Sequence, residues 1–294
     1  VKNKNLQIFM AFLLFIVIGY SIFASANPDA KESITYFPID KEAIFLKASN
    51  SITIKENVNQ GSYSAQWKME SELNQRAYLR QDIGFLYSNG ILAAKMNKWG
   101  QNVSFLKNES TYTSNESSLL QSVGLHYAEI HGKGNGEITS AQRMSQDQIY
   151  AIQSKWSRPS SFRVPSSNEE KQWKNIIDQL IQQKVDYWEG KTLEKLPLQK
   201  QNNYIFLLTE IPSYNDKPLP GFTKSQSDTI IGNLWEGLYK NYFLGIKLKN
   251  GTIEDPLGST VPIIFLDKNR RELLVAFLTK SGESIELKQK IPAY

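Results

Sequence analysis

Residues 82–96 read DIGFLYSNGILAAKM, two apolar runs on either side of Asn89-Gly90. A type I′ turn needs positive φ at both central residues, and Asn followed by Gly supplies it at the least steric cost. The stretch therefore predicts a β-hairpin, and the fold follows from what flanks it. Upstream, residues 62–70 read SYSAQWKME, where Tyr63, Ala65, Trp67 and Met69 alternate with Ser64, Gln66, Lys68 and Glu70. That period of two predicts a strand with one buried and one wet face. Residues 43–54 predict two shorter strands around Ala48-Ser49-Asn50-Ser51, and residues 101–118, rich in Ser, Asn and Thr, predict a surface loop with room for one short helix.

Downstream, residues 124–140 read GLHYAEIHGKGNGEITS. Gly124–His131 and Glu137–Met144 predict a second hairpin, with Asp147–Ile152 as a third strand. Composition then changes: QSKWSRPSSFRVPSS, residues 153–167, holds two prolines and six serines and reads as a connector. After it, Ser167 and Glu170 have capping-box spacing, and Trp173, Ile176, Ile177, Leu180, Ile181, Val185 and Trp188 follow at helical steps, with Gly190 as the expected C-cap. Strands are predicted again at Tyr204–Thr209, Tyr242–Leu248, either side of Lys268-Asn269, and at Ser284–Ile291, while Thr223–Tyr239 is open between helix and extended chain. The pattern is α+β, antiparallel and strand-rich. It divides into a mostly β half (29–153), a connector (154–167) and a C-terminal half (168–294) with one long amphipathic helix packed on an antiparallel sheet.

Residues 1–26 stand apart. Lys2 and Lys4 precede Leu6–Phe23, an apolar run broken only by Gln7, Gly19, Tyr20 and Ser21, and Ala24-Ser25-Ala26 follows. That order predicts a signal peptide cleaved after Ala26 or, because the run is long, a retained membrane anchor through Leu6–Phe23. The rest of the chain is then expected outside the cytoplasm. Cysteine is absent, which removes disulfides, thiolate metal sites, cysteine nucleophiles and lipid attachment through a cysteine. With the leader set aside, 32 basic residues stand against 29 acidic ones. So small an excess, with no dense Lys/Arg stripe, argues against nucleic acid and suits an anionic wall or membrane component. The leader, the lack of cysteine and the strand-rich body resemble, in kind, envelope proteins of Gram-positive bacteria.

Candidate chemistry centres on HYAEIH. Side chains alternate along a strand, so His126 shares a face with Ala128 and Ile130, and His131 with Glu129. The two histidines, five residues apart, point to opposite faces and cannot share a metal. With Asn135-Gly136 as the turn, His131 is expected opposite Ser140 and Glu129 opposite Gln142. Glu129, His131 and Ser140 are thus the candidate catalytic residues, although a triad also needs an exposed, activated serine and oxyanion donors. A carboxylate pair for glycan hydrolysis drawn from Asp82, Glu129 and Glu210, and a sugar groove lined by Trp156, Trp173, Trp188 and Trp235, are further expectations. No phosphate loop, nucleophile elbow, zinc-protease or EF-hand motif occurs, so neither cofactor nor metal is expected. Two readings follow: a non-enzymatic binding protein of the envelope, partnered by another envelope protein or an anionic component, or an envelope hydrolase built on the 124–144 hairpin.

Overall fold

The computed structural model of the chain describes residues 36–292 apart from 57–60, 133–135, 155–157 and 195–201, and the side chains of Glu56, Gln81 and Asp82 are not described. The leader falls outside these residues. Among the described residues no helix is long and apolar enough to cross a membrane.

The opening hairpin forms as its turn predicts. Asn89 and Gly90 have φ of 50° and 78°, joining β2 (Tyr63–Ser88) to β3 (Ile91–Ser114). Both strands run far past the apolar stretches that announce them. The predicted strand at 62–70 and the first arm of the hairpin are one continuous β2. The expected loop at 101–118 is mostly β3, paired with β2 from Glu72↔Phe105 to Tyr63↔Ser114. Its period-two signal is diluted because Asn108 and Ser110 stand opposite Met69 and Trp67, where a strand normally places apolar side chains. The ladder holds these polar residues in place. Likewise, 43–54 holds one strand, β1 (Phe45–Glu56), rather than two.

The N-terminal sheet has six strands. β2 pairs with β3 along one edge; along the other it pairs with β1 in its first half and with β4 (Ser118–His131) in its second. β5 (Ile138–Ile152) follows β4, and β6 (Ser160–Phe162) closes the order. Register shifts at Glu72/Ala77 and Ala77/Leu79 bend β2, and its two halves pack face to face. The glycines show how closely. Gly84 and Gly124 are cross-strand partners, and a Cβ on them would lie 2.5 Å from Met69 Sδ and 2.3 Å from Met69 Cε. Two bare backbones, side by side, make room for one methionine. Ile52, Tyr63, Trp67, Met69, Leu86, Leu120 and Ile149 form the core enclosed by this fold-back.

The outer face of β2, β4 and β5 carries a second layer. It contains α1 (Asn168–Leu193), β7 (Asn203–Leu207), a 3-10 turn (Leu208–Tyr214), α2 (Lys224–Leu238), a π-helical turn (Tyr239–Phe243), the short pair β8 (Ile246–Lys247) and β9 (Ile253–Glu254), and β10 (Ile263–Asp267), β11 (Glu272–Leu278) and β12 (Ser284–Lys290). The last three strands and β7 form a four-stranded antiparallel sheet ordered β12-β11-β10-β7. Residues 34–294 make one compact unit, and its largest buried cluster runs from Phe85, Tyr87, Val123 and Leu125 to Trp235, Tyr242 and Phe277. The hairpin tip is stitched to the same layer: Val261 N donates to Gly90 O, and Leu92 N to Ser259 O, both at 2.8 Å.

The open stretch at Thr223–Tyr239 is helical, with a Thr223/Gln226 capping box opening α2. Of the strand expected at Tyr242–Leu248 only Ile246–Lys247 forms, as β8; Tyr242 and Phe243 belong to the π-helical turn and are buried against Phe85. In α1, Ser167 accepts from Glu170 N as foreseen, but the helix continues through Gly190 to Leu193. Its stripe is divided. Ile177 and Trp188 are buried, Trp188 lying over Gly90, whereas Ile176 and Leu180 are 50% and 54% exposed. Part of the connector is structured too. Phe162 stacks on Tyr150 at 5.0 Å, and Arg163 holds the Asp147 carboxylate through two bonds while donating to Ile52 O.

Candidate functional site

The second hairpin keeps the predicted faces and changes the register. His131 stands opposite Ile138 and Glu129 opposite Ser140, two residues from the expected pairing, because the strands close at Gly132 and Glu137, which centres the connection one residue before Asn135-Gly136. Ser140 is fully buried, and its hydroxyl donates to Phe37 O at 2.6 Å. Glu129 accepts from Arg80 Nη1 at 2.9 Å, while His131 Nε2 lies 3.9 Å from its other oxygen. Serine and carboxylate are each engaged elsewhere, so the three do not assemble as a triad. Glu210 accepts from Leu207 N and caps the 3-10 turn. Asp82 lies outside the described side chains.

His126 sits on the opposite, inner face, fully buried. Its Nδ1 is 2.7 Å from Ser71 Oγ and its Nε2 is 2.6 Å from Ser145 Oγ. Asn50 continues the network, donating to Ser145 O and Oγ and accepting from Trp67 Nε1 at 2.9 Å. Burial pushes the imidazole from 6.5 down to about 3, so it is neutral at ordinary pH. This network explains why β1 survives its polar centre: the side chain of Asn50 is satisfied inside the core.

The outer face of the same sheet extends past the covering layer. Tyr127 is buried beneath that layer, but the neighbouring Tyr78, Glu129 and His131 lie beyond it and join Trp99 and Arg76 around a cleft of about 510 Å³. Its floor is built from charge. Arg80, 5% exposed, pairs with Glu129, whose side chain is 12% exposed, and its guanidinium lies 5.4 Å from the centre of the Tyr78 ring. Removing either member would strand a nearly buried charge, which typically costs about 3–5 kcal/mol. Tyr78 meets Trp99 edge to face at 5.7 Å and 66°. Trp99 remains 52% exposed.

The rim comes from a bulge. Between Ala77↔Val103 and Leu79↔Gly100 the β3 side carries one extra residue, and Asn102 takes φ of 53°. Arg76 Nη1 donates to Asn102 O across it at 3.1 Å. Such a bulge re-aims side chains, and here Gln101 and Asn102 line the cleft.

No family model, curated protein or solved structure matches this chain. Sequence reasoning reached Glu129 and His131 and missed Tyr78, Trp99, Arg80 and Arg76. The expected groove of tryptophans does not form from the residues named for it: Trp188 and Trp235 are core, Trp173 packs against the Tyr150 and Phe162 cluster, and Trp156 lies outside the described residues. The signal that could have found Trp99 is its setting, KWGQN, an aromatic residue among polar ones in a stretch with no apolar alternation.

Proposed function

We propose that this chain is a non-enzymatic binding protein of a cell envelope, working outside the cytoplasm and holding a wall polymer in the Tyr78–Trp99 cleft. The observation that carries the reading is the half-exposed indole of Trp99, braced by Tyr78 above a nearly buried Arg80–Glu129 pair. A large aromatic side chain left in water on a prepared floor is a binding surface before it is anything else. The leader supports export, either as a cleaved signal or as an anchor through Leu6–Phe23. Within this reading α1 is a brace that packs through Ile177 and Trp188, and no nucleic acid, metal or cofactor takes part.

The concave, polar-rimmed cleft suits a polymer better than a bilayer, which favours a convex apolar or strongly basic patch. The hydrolase reading would require Glu129 to leave Arg80, or Ser140 to leave Phe37. The test is sedimentation of the full chain with purified cell walls, beside the Trp99→Ala variant. Binding lost in the variant supports the cleft; binding unchanged, or release of wall fragments on incubation, defeats the reading. A reporter active only outside the cytoplasm, fused after residue 60, should be active.

A further inference from the structure

We infer that the ligand of this cleft is a glycan whose uncharged pyranose ring packs on Trp99. The inference rests on the binding reading above and deepens it by naming the class of ligand.

At an interplanar angle of 66° the Tyr78 and Trp99 rings form a corner and not a slot. A flat aromatic ligand is held best between parallel faces. A pyranose chair has a different demand: one face of C–H groups, slightly positive, that suits the negative face of an indole. Hydroxyl groups around its edge then need donors and acceptors. Gln101, Asn102, Arg76 and His131 provide both kinds around the same cleft.

Charge points the same way. Glu129 pairs with Arg80, which leaves Arg76 as the guanidinium of the lining. A phosphate polymer is normally gripped by several converging cations. One guanidinium, already donating to Asn102 O, is a hydrogen-bonding group for a hydroxyl more than a clamp for a polyanion. An extended peptide would add to the outer edge of β3, yet Lys98 Nζ folds across to Lys107 O at 2.8 Å, and Lys107 pairs with Glu109 beside it. Lysines along an edge are a usual guard against strand addition.

The bulge that turns out Gln101 and Asn102, and the nearly buried Arg80 beneath Tyr78, fix the corner before any ligand arrives. Pre-organisation of this kind lowers the entropic cost of binding, which matters for a ligand as solvated as a sugar.

The experiment titrates the full chain with neutral tetrasaccharides of glucose, mannose, galactose and N-acetylglucosamine, and separately with polyglycerol phosphate, following tryptophan fluorescence and heat. The expected result is saturable binding of at least one tetrasaccharide, weakened at least about tenfold, or about 1.4 kcal/mol, by Trp99→Ala and less by Trp99→Phe. Circular dichroism of Trp99→Ala confirms that the variant folds. Binding of polyglycerol phosphate alone, weakened by Arg76→Gln, overturns the glycan and leaves the cleft as the site. So does failure of every tetrasaccharide while wall sedimentation still depends on Trp99. Tetrasaccharides bound equally by Trp99→Ala overturn both the glycan assignment and the cleft.

Discussion

Two ends of one sheet face behave in opposite ways. Along β2 and β4 the outer face first carries Phe85, Tyr87, Val123 and Leu125, sealed by Trp235, Tyr242 and the β10–β11 strands. A few residues on, the same face carries Tyr78, Arg80, Glu129 and His131, and nothing described covers Trp99. The aromatic content is similar at both ends; the surroundings differ. At the sealed end aromatic rings meet rings, and stability comes from area removed from water. At the open end a nearly buried ion pair replaces the second layer, and the ring it supports is left available. An aromatic residue thus becomes core or platform according to what the rest of the chain lays over it.

The comparison is most easily broken at its sealed end. Trp235→Ala should cost about 3–5 kcal/mol, as large-to-small changes at buried aromatics do. Urea unfolding should remain one transition, since a single cluster joins residues from both sides of 154–167. Two separated transitions would divide the molecule at that connector and undo the idea of one sheet face with two ends.

The fold-back behind that face is the next place to press. Gly124→Ala puts a methyl where Met69 now sits, and overpacking should cost about 1–3 kcal/mol. In a Met69→Ala background the same change should cost much less, because the two positions compete for one space. An equal cost in both backgrounds would mean that the glycine pair is not what admits the methionine.

Acid tests the inner network. The folded-state pKa of His126 lies below the unfolded one, so between about 6.5 and about 3 the unfolded chain takes the proton first. The stability linked to this residue is fully present above about 6.5 and is lost as pH falls through that window, by about 1.4 kcal/mol per unit. Denaturant midpoints should fall with pH from about 6.5 to 5, and His126→Gln should flatten that slope relative to wild type. A slope unchanged in the variant would show that other groups carry it. The smallest effect belongs to the open end: Trp99→Ala should shift stability by no more than about 0.5 kcal/mol while removing wall binding. A loss as large as that of Trp235→Ala would make Trp99 another core residue and erase the contrast.

How much of this was legible can be seen residue by residue. The turn at Asn89-Gly90 was, because positive φ is a property of the two residues that adopt it. So was the opposition of His126 and His131, since alternation along a strand needs only the strand. The cap at Ser167 satisfies a nearby backbone group and is equally local. The continuity of β1 was not: Asn50 reads as a break until Ser145, 95 residues away, receives its amide. Nor was the register that sets Glu129 against Ser140, which depends on where the loop closes and on Phe37 and Pro38 accepting bonds from Ser140. The cleft was legible only in fragments. Glu129 and His131 stood out by type, but Arg80, Tyr78 and Trp99 gain their roles from a bend in β2 and a bulge in β3. Sequence determined what each residue prefers over a few neighbours. Tertiary structure decided which side chains are sealed and which are left open, because burial is set by segments distant in the chain.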